Sequence, residues 1–186
     1  TAPGTGTVLW VELERRPGSN ELVLVYADGN NDLFGILWTG TSWDETNTKT
    51  TFSTTLDGLG KVFDVAYEQT SGDLLVVFCH PGGSDCFYTT KAAAATTWGP
   101  TTLQSNLSNG WVDAVLELSP EPDSSRIALV KQMTSSVGLH VITWDGAAWS
   151  AFASLVGTLT APAGGALPVS TGWLSDPDVA VMIYSD

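Results

Sequence analysis

The residues in this chain with the most evident chemistry are two cysteines and a histidine. Cys79 and Cys86 flank His80-Pro81-Gly82-Gly83-Ser84-Asp85. A tight Gly-Gly hairpin at that point sets the two thiols opposite each other on adjacent strands. A cross-strand disulfide is feasible there and fits an oxidising compartment, the alternative being a pair of small buried thiols. A metal centre built on Cys79, His80 and Cys86 is disfavoured. Zinc takes four ligands, and the second histidine, His140, belongs to a different structural unit.

Oxygen ligands come next. Asp28, Asn30 and Asp32 alternate as at the start of a calcium loop, but the following glycine and distal glutamate are missing. Asp-Gly-Asn is also what a β-hairpin asks for on conformational grounds, and that reading is the stronger. Asn106-Leu107-Ser108 is a formal N-glycosylation triplet. There is no Ser-His-Asp order, no Gly-x-Ser-x-Gly elbow and no phosphate loop. Scattered carboxylates such as Asp64 and Asp113 are not placed by sequence as an acid and base pair. No catalytic residue and no cofactor is expected.

The tryptophans supply the remaining candidates, because an indole stacks well on a sugar ring. Trp10, Trp111 and Trp173 are the ones that could present a ligand-stacking face. Trp10 shares strand parity with Glu12 and Glu14, and Trp111 with Asp113 and Glu117, although that face could instead meet a neighbouring sheet. Trp38, Trp43, Trp98, Trp144 and Trp149 occupy repeated positions, and packing explains them more simply.

The elements that must carry these residues are set by a repeat. Glu21-Leu22-Val23-Leu24-Val25-Tyr26 returns as Asp73-Leu74-Leu75-Val76-Val77-Phe78, as Arg126-Ile127-Ala128-Leu129-Val130-Lys131 and as Val179-Ala180-Val181-Met182-Ile183-Tyr184. Val25, Val77, Val130 and Ile183 are 52, 53 and 53 residues apart. A steady period of that length marks a repeat architecture. The near-continuous apolar run of this segment predicts a strand buried on both faces.

Each unit parses as four strands. The first, Val8 to Glu14, alternates apolar and polar residues, with counterparts at Val62 to Glu68 and Trp111 to Leu118. The third runs Leu33 to Trp38, Cys86 to Lys91 and Leu139 to Trp144, and the fourth is expected to begin at Trp43, Trp98 and Trp149. Trp38-Thr39-Gly40-Thr41-Ser42-Trp43 returns as Trp144-Asp145-Gly146-Ala147-Ala148-Trp149, a hairpin whose glycine permits positive φ. Four-stranded antiparallel units of ~52 residues covered on both faces describe an all-β fold, a β-propeller of about three and a half blades. The expected blades are 1–58, 59–108 and 109–160, with 161–186 as the first half of a fourth.

With these signatures, Tyr26-Ala27-Asp28-Gly29-Asn30 and Trp-x-Gly-x-x-Trp, the chain resembles repeats of bacterial extracellular β-propeller proteins, distantly similar to sialidase-like ones. The resemblance implies the propeller fold across the whole chain. No segment fits the Asp-box Ser-x-Asp-x-Gly-x-x-Trp, so no active site is carried over from that family.

Composition limits the partners. Twenty acidic residues face seven basic ones, a net charge of −13, which repels phosphate backbones and anionic lipid. Neither nucleic acid nor membrane insertion is expected. Charged residues make up 15% of the chain, against roughly 25% in ordinary soluble domains. Thr, Ser and Gly take their place, a mixture that suits an extracellular or cell-surface protein. The favoured reading is a non-enzymatic structural or interaction module of a surface appendage or filament. Its apolar edge at Val179, Val181, Ile183 and Tyr184 would be completed by further chain or by another copy. The alternative is a carbohydrate-binding or glycan-processing propeller with glycans as partners.

Overall fold

The computed structural model describes residues 6–56, 60–80, 85–105, 113–133, 138–151, 153–156, 169–174 and 179–184. The elements among these residues are all strands, joined by turns and loops. Blade 1 is an antiparallel sheet of β1 (Val8–Arg15), β2 (Leu22–Asp28), β3 (Leu33–Trp38) and β4 (Thr50–Ser53). Blade 2 holds β5 (Phe63–Tyr67), β6 (Leu74–Cys79), β7 (Cys86–Lys91) and β8 (Thr102–Leu103) in the same order. Blade 3 holds β9 (Asp113–Pro120), β10 (Ile127–Met133), β11 (Leu139–Trp144) and β12 (Ala153–Val156), and β13 (Val169–Leu174) pairs with β14 (Val179–Tyr184) as the start of blade 4. This is the propeller pattern of about three and a half blades that the repeat predicts. β1, β5, β9 and β13 lie side by side as successive innermost strands.

Register makes the repeat exact enough to compare residues across blades. Glu12 lies opposite Val25, Asp64 opposite Val77, Glu117 opposite Val130 and Ser170 opposite Ile183. Because directly opposed residues share a face, each blade has two distinct faces. The trailing face carries Val23, Val25 and Ala27 in blade 1, and it packs on Phe63, Val65, Val76 and Phe78 of blade 2. Leu75, Val77 and Cys79 of blade 2 pack in turn on Leu116, Leu118, Ile127 and Leu129 of blade 3. Burial on both faces is therefore complete in the middle blades, and each such aliphatic side chain contributes roughly 1.5–3 kcal/mol.

The third strands fall where the sequence places them; the fourth do not. Trp43 and Trp149 make only single bridges, to Trp38 and Trp144, and β4 and β12 begin at Thr50 and Ala153. Trp98 lies before β8, which begins at Thr102. In blade 1 the cause is local. The Asp44 carboxylate accepts the N–H groups of Thr46 and Asn47, at 3.3 and 3.0 Å, folding the chain into a turn that delays the strand. The indoles still close the hairpins, edge to face at 5.6 Å for Trp38–Trp43 and 5.4 Å for Trp144–Trp149. Gly40 and Gly146 carry the positive φ these turns need.

β14 pairs with β13, and among the described residues no strand pairs with its other edge. Val181 is 37% exposed. The side chains of Val179, Ile183 and Tyr184 lie outside the described ones.

Candidate functional site

The turn joining the first and second strands of each blade lies at the same end of the sheet as the tryptophan hairpin, since Leu22 pairs with Trp38 and Ile127 with Trp144. Each turn is closed by an equivalent backbone bond. Arg16 N–H donates to the Glu21 carbonyl at 3.0 Å, Glu68 N–H to Asp73 at 2.8 Å, and Glu121 N–H to Arg126 at 2.9 Å. The two bracketing positions are thus held side by side, whatever residues fill them.

What fills them differs by blade. In blade 3, Arg126 grips Glu121 through Nε and Nη2 in a bidentate pair. Burial alone would raise the Glu121 carboxyl, but hydrogen bonds from Arg126 and Ser124 and the guanidinium charge hold it below the usual range. The Arg126 side chain remains 43% exposed. Its guanidinium also lies over the indole of Trp173 in blade 4, 5.3 Å from the ring centre. Trp173 is half-buried, and its Nε1–H donates to the Ser119 carbonyl at 2.8 Å. A guanidinium, a carboxylate and an indole therefore meet at the junction of two blades.

Blade 1 carries the same chemistry with the charges exchanged. Arg16 takes the first bracketing position and Glu21 the second, 3.9 Å apart. Tyr67, which occupies in blade 2 the strand position of Trp173, donates its hydroxyl to Glu21 at 3.1 Å. Burial and the Glu21 charge raise the Tyr67 hydroxyl well above its ordinary pKa, so it stays a donor. Between blades 2 and 3 the site is closed. Glu68 is 3% exposed, accepts Trp144 Nε1–H at 2.7 Å and is held by the Ser71 hydroxyl. Pro120 stands there where the other junctions have Tyr67 or Trp173.

Carboxylates on the innermost strands cross the junctions as well. Glu12 accepts Lys61 Nζ at 2.6 Å, Asp64 accepts Leu118 N–H at 2.6 Å, and Glu117 accepts Thr171 N–H at 2.8 Å. Asp64 is 5% exposed. Burial pushes its carboxyl up to about 7, against the opposing pull of Lys61 and the backbone donors. It holds structure and does not face a cleft, and the side chain of Asp113 lies outside the described ones.

The sequence candidates divide accordingly. Cys79 and Cys86 are joined in a disulfide between directly opposed residues, with Cα atoms 4.0 Å apart. Neither sulfur is a thiolate for a metal. His80 Nε2 instead lies 3.0 Å from Ser53 Oγ, and its ring packs on Phe87 at 4.6 Å. Asp28 is 1% exposed, and its oxygens accept the N–H groups of Asn30, Asp32 and Gly6, at 2.9, 3.3 and 3.1 Å. That is a hairpin turn locked by an aspartate, and no group of three or more metal-ligating side chains occurs among the described residues. Trp10 is 41% exposed on β1, at the same parity as Glu12. Trp111 and Asn106 lie outside the described residues. Trp98 serves packing, with Phe52 edge-on at 4.9 Å and Nε1–H donating to the Thr48 carbonyl at 2.6 Å.

Arg16, Glu21, Glu121 and Arg126 were not legible as sites from repeated residue types. The signal that marks them is positional: oppositely charged residues five apart in the same turn of two repeats, in reversed order.

No protein-family model and no curated protein matches the chain. Solved structures do. A mutant of Aleuria aurantia lectin in complex with α-methyl-L-fucoside aligns with TM-score 0.57 and 17% identity, over 84% of this chain and 47% of that one. SapL1 lectin in complex with α-methyl fucoside aligns with TM-score 0.56 and 14% identity, over 92% of this chain and 54% of that one. A mutant of AofleA from Arthrobotrys oligospora gives 0.54 and 14%, over 92% and 48%. The chain spans about half the length of these proteins. The likeness establishes the fold. Two of these neighbours are lectins, and the likeness supports a β-propeller without singling out the sialidase-like repeats that the signatures resemble.

Proposed function

We propose that the chain is a carbohydrate-binding, non-catalytic propeller module whose ligand sites lie at the blade junctions. The observation that carries this reading is the cluster of Arg126, Glu121 and Trp173. A guanidinium donates to sugar hydroxyls and an indole covers the apolar face of a pyranose, while the buried Glu121 carboxylate fixes the guanidinium between them. Arg16 and Glu21 form a second, partly exposed charged pair at the equivalent turn, with the buried Tyr67 hydroxyl fixing Glu21. Lectin neighbours with fucoside ligands support the class and suggest fucosylated glycans as the first to test. The disulfide and the low charge density fit a secreted or surface setting.

Two measurements test it: a glycan array, and titration of α-methyl fucoside followed by tryptophan fluorescence. Saturable quenching lost in Arg126→Ala supports the reading. An array with no binding, on protein shown to be folded by circular dichroism, overturns it.

A further inference from the structure

We propose that the junction of blades 1 and 2 takes a sugar bearing an anionic group, a carboxylate or a sulfate ester, and that Lys91 sets this preference. The preference presupposes carbohydrate binding at the blade junctions and names the ligand class of one of them. Directly opposed residues share a face, so the row of Tyr67, Leu74 and Lys91 turns toward blade 1, where the Tyr67 hydroxyl reaches Glu21. One blade further on, Pro120, Ile127 and Trp144 make the equivalent row, and Trp144 crosses its junction to donate to Glu68. Lys91 therefore brings an ammonium to the position where the next junction has an indole.

Lys91 is 5% exposed. Among the described residues no carboxylate forms an ion pair with it. A buried charge without a counter-ion is costly, and an anion entering the junction would supply one. The nearby carboxylates already have donors of their own. Glu21 accepts the Tyr67 hydroxyl at 3.1 Å, and Asp73 accepts the Ala93 N–H at 2.7 Å.

Arg16 faces the same junction from blade 1. It stands 3.9 Å from Glu21, whereas Arg126 is gripped by Glu121 in a bidentate pair. Its Nη1 donates to the Ala93 carbonyl at 3.3 Å, in the blade 2 hairpin that is two residues longer than the indole hairpins. Gly72 lets the side chain lie against the blade 2 turn, since a Cβ there would come within 2.8 Å of Arg16 Nε. The guanidinium is thus held in place with its side chain 26% exposed and donors to spare for an anion. Two cations face one junction in a chain of net charge −13, and the charge of Arg126 at the blade 3–4 junction is matched by Glu121.

Isothermal titration of the wild type, Lys91→Met, Lys91→Arg and Arg126→Ala provides the test, each protein shown to be folded by circular dichroism. The probes are methyl glucuronide and a sulfated fucoside, with neutral α-methyl fucoside and sodium sulfate for comparison. An acidic sugar should bind the wild type, lose roughly tenfold or more in affinity with Lys91→Met, recover with Lys91→Arg and weaken with added salt. Arg126→Ala should leave that binding unchanged. α-Methyl fucoside should follow the reverse pattern, weakened by Arg126→Ala and indifferent to Lys91→Met. Arg16→Gln, at a partly exposed position, repeats the comparison should Lys91→Met not fold. Acidic sugars that fail to bind, that bind Lys91→Met as well as the wild type, or that bind no tighter than sodium sulfate overturn the proposal. Fucoside binding that still depends on Arg126 would then leave the carbohydrate reading standing, whereas the absence of binding by every sugar overturns both.

Discussion

Leu118 donates its backbone N–H to the Asp64 carboxylate across the junction of blades 2 and 3, at 2.6 Å and 54 residues apart in sequence. The bond joins two innermost strands, and it does so with a group that burial makes reluctant to ionise. Lys61 relieves part of the cost. Its ammonium lies 3.3 Å from Asp64 and 2.6 Å from Glu12, and although its own burial works against the charge, the two carboxylates raise its pKa.

Stability should therefore fall as pH rises through neutrality. The unfolded chain releases the Asp64 proton near 3.8 and the folded chain near about 7, so between those values the folded state holds the extra proton. The contribution is complete at acid pH and is lost as pH climbs through the folded value. Thermal denaturation should give a lower midpoint at about pH 8 than at about pH 5, and Asp64→Asn should flatten that difference. An unchanged slope in the variant would assign the effect to another group.

Arg126→Ala should weaken fucoside binding by roughly tenfold or more, since hydrogen bonds to a charged group are worth about 1.5–3 kcal/mol. Trp173→Phe keeps an aromatic ring but removes the bond to Ser119. It should give an intermediate loss, with Arg16→Ala acting separately at the other junction. Isothermal titration with each variant distinguishes these outcomes from a uniform loss through misfolding.

Leu13 and Leu118 are the same residue at the same repeat position, one 54% and the other 8% exposed. Truncating Leu118 to Ala should cost about 2–5 kcal/mol in urea denaturation. Leu13→Ala should cost no more than about 0.5 kcal/mol in the same measurement.

The Cys79–Cys86 disulfide closes a loop with a sequence separation of 7. Chain entropy for so short a loop is worth about 2 kcal/mol. The double Ser variant should lose about that much in chemical denaturation, and added reductant should bring the wild type to the same midpoint without affecting the variant.

The period of the apolar strands made the fold legible, because burial on both faces demands the same residue class at each return. The third strands, the indole hairpins and the disulfide followed from it. The fourth strands were misplaced because Asp44 caps a turn whose side-chain bonds outweigh the strand preference of its neighbours. Trp173 was singled out in the sequence, but the partners it meets, Arg126 and Ser119, were not. Arg126 and Glu121 occupy positions that hold Glu21 and Arg16 in blade 1, and Asp73 and Glu68 in blade 2. A search for like residues passes over sites that keep a geometry while exchanging its charges.

That exchange has a consequence for any ligand that reaches both sites. Guanidinium and carboxylate follow one order along the turn at Arg16 and Glu21, and the opposite order at Glu121 and Arg126, where the carboxylate is buried. A sugar hydroxyl drawn to the guanidinium would therefore sit at opposite ends of the turn at the two sites. A branched glycan could then be clasped by both only if its arms diverge, and avidity would reward branching geometry over the identity of any single residue in the chain of sugars.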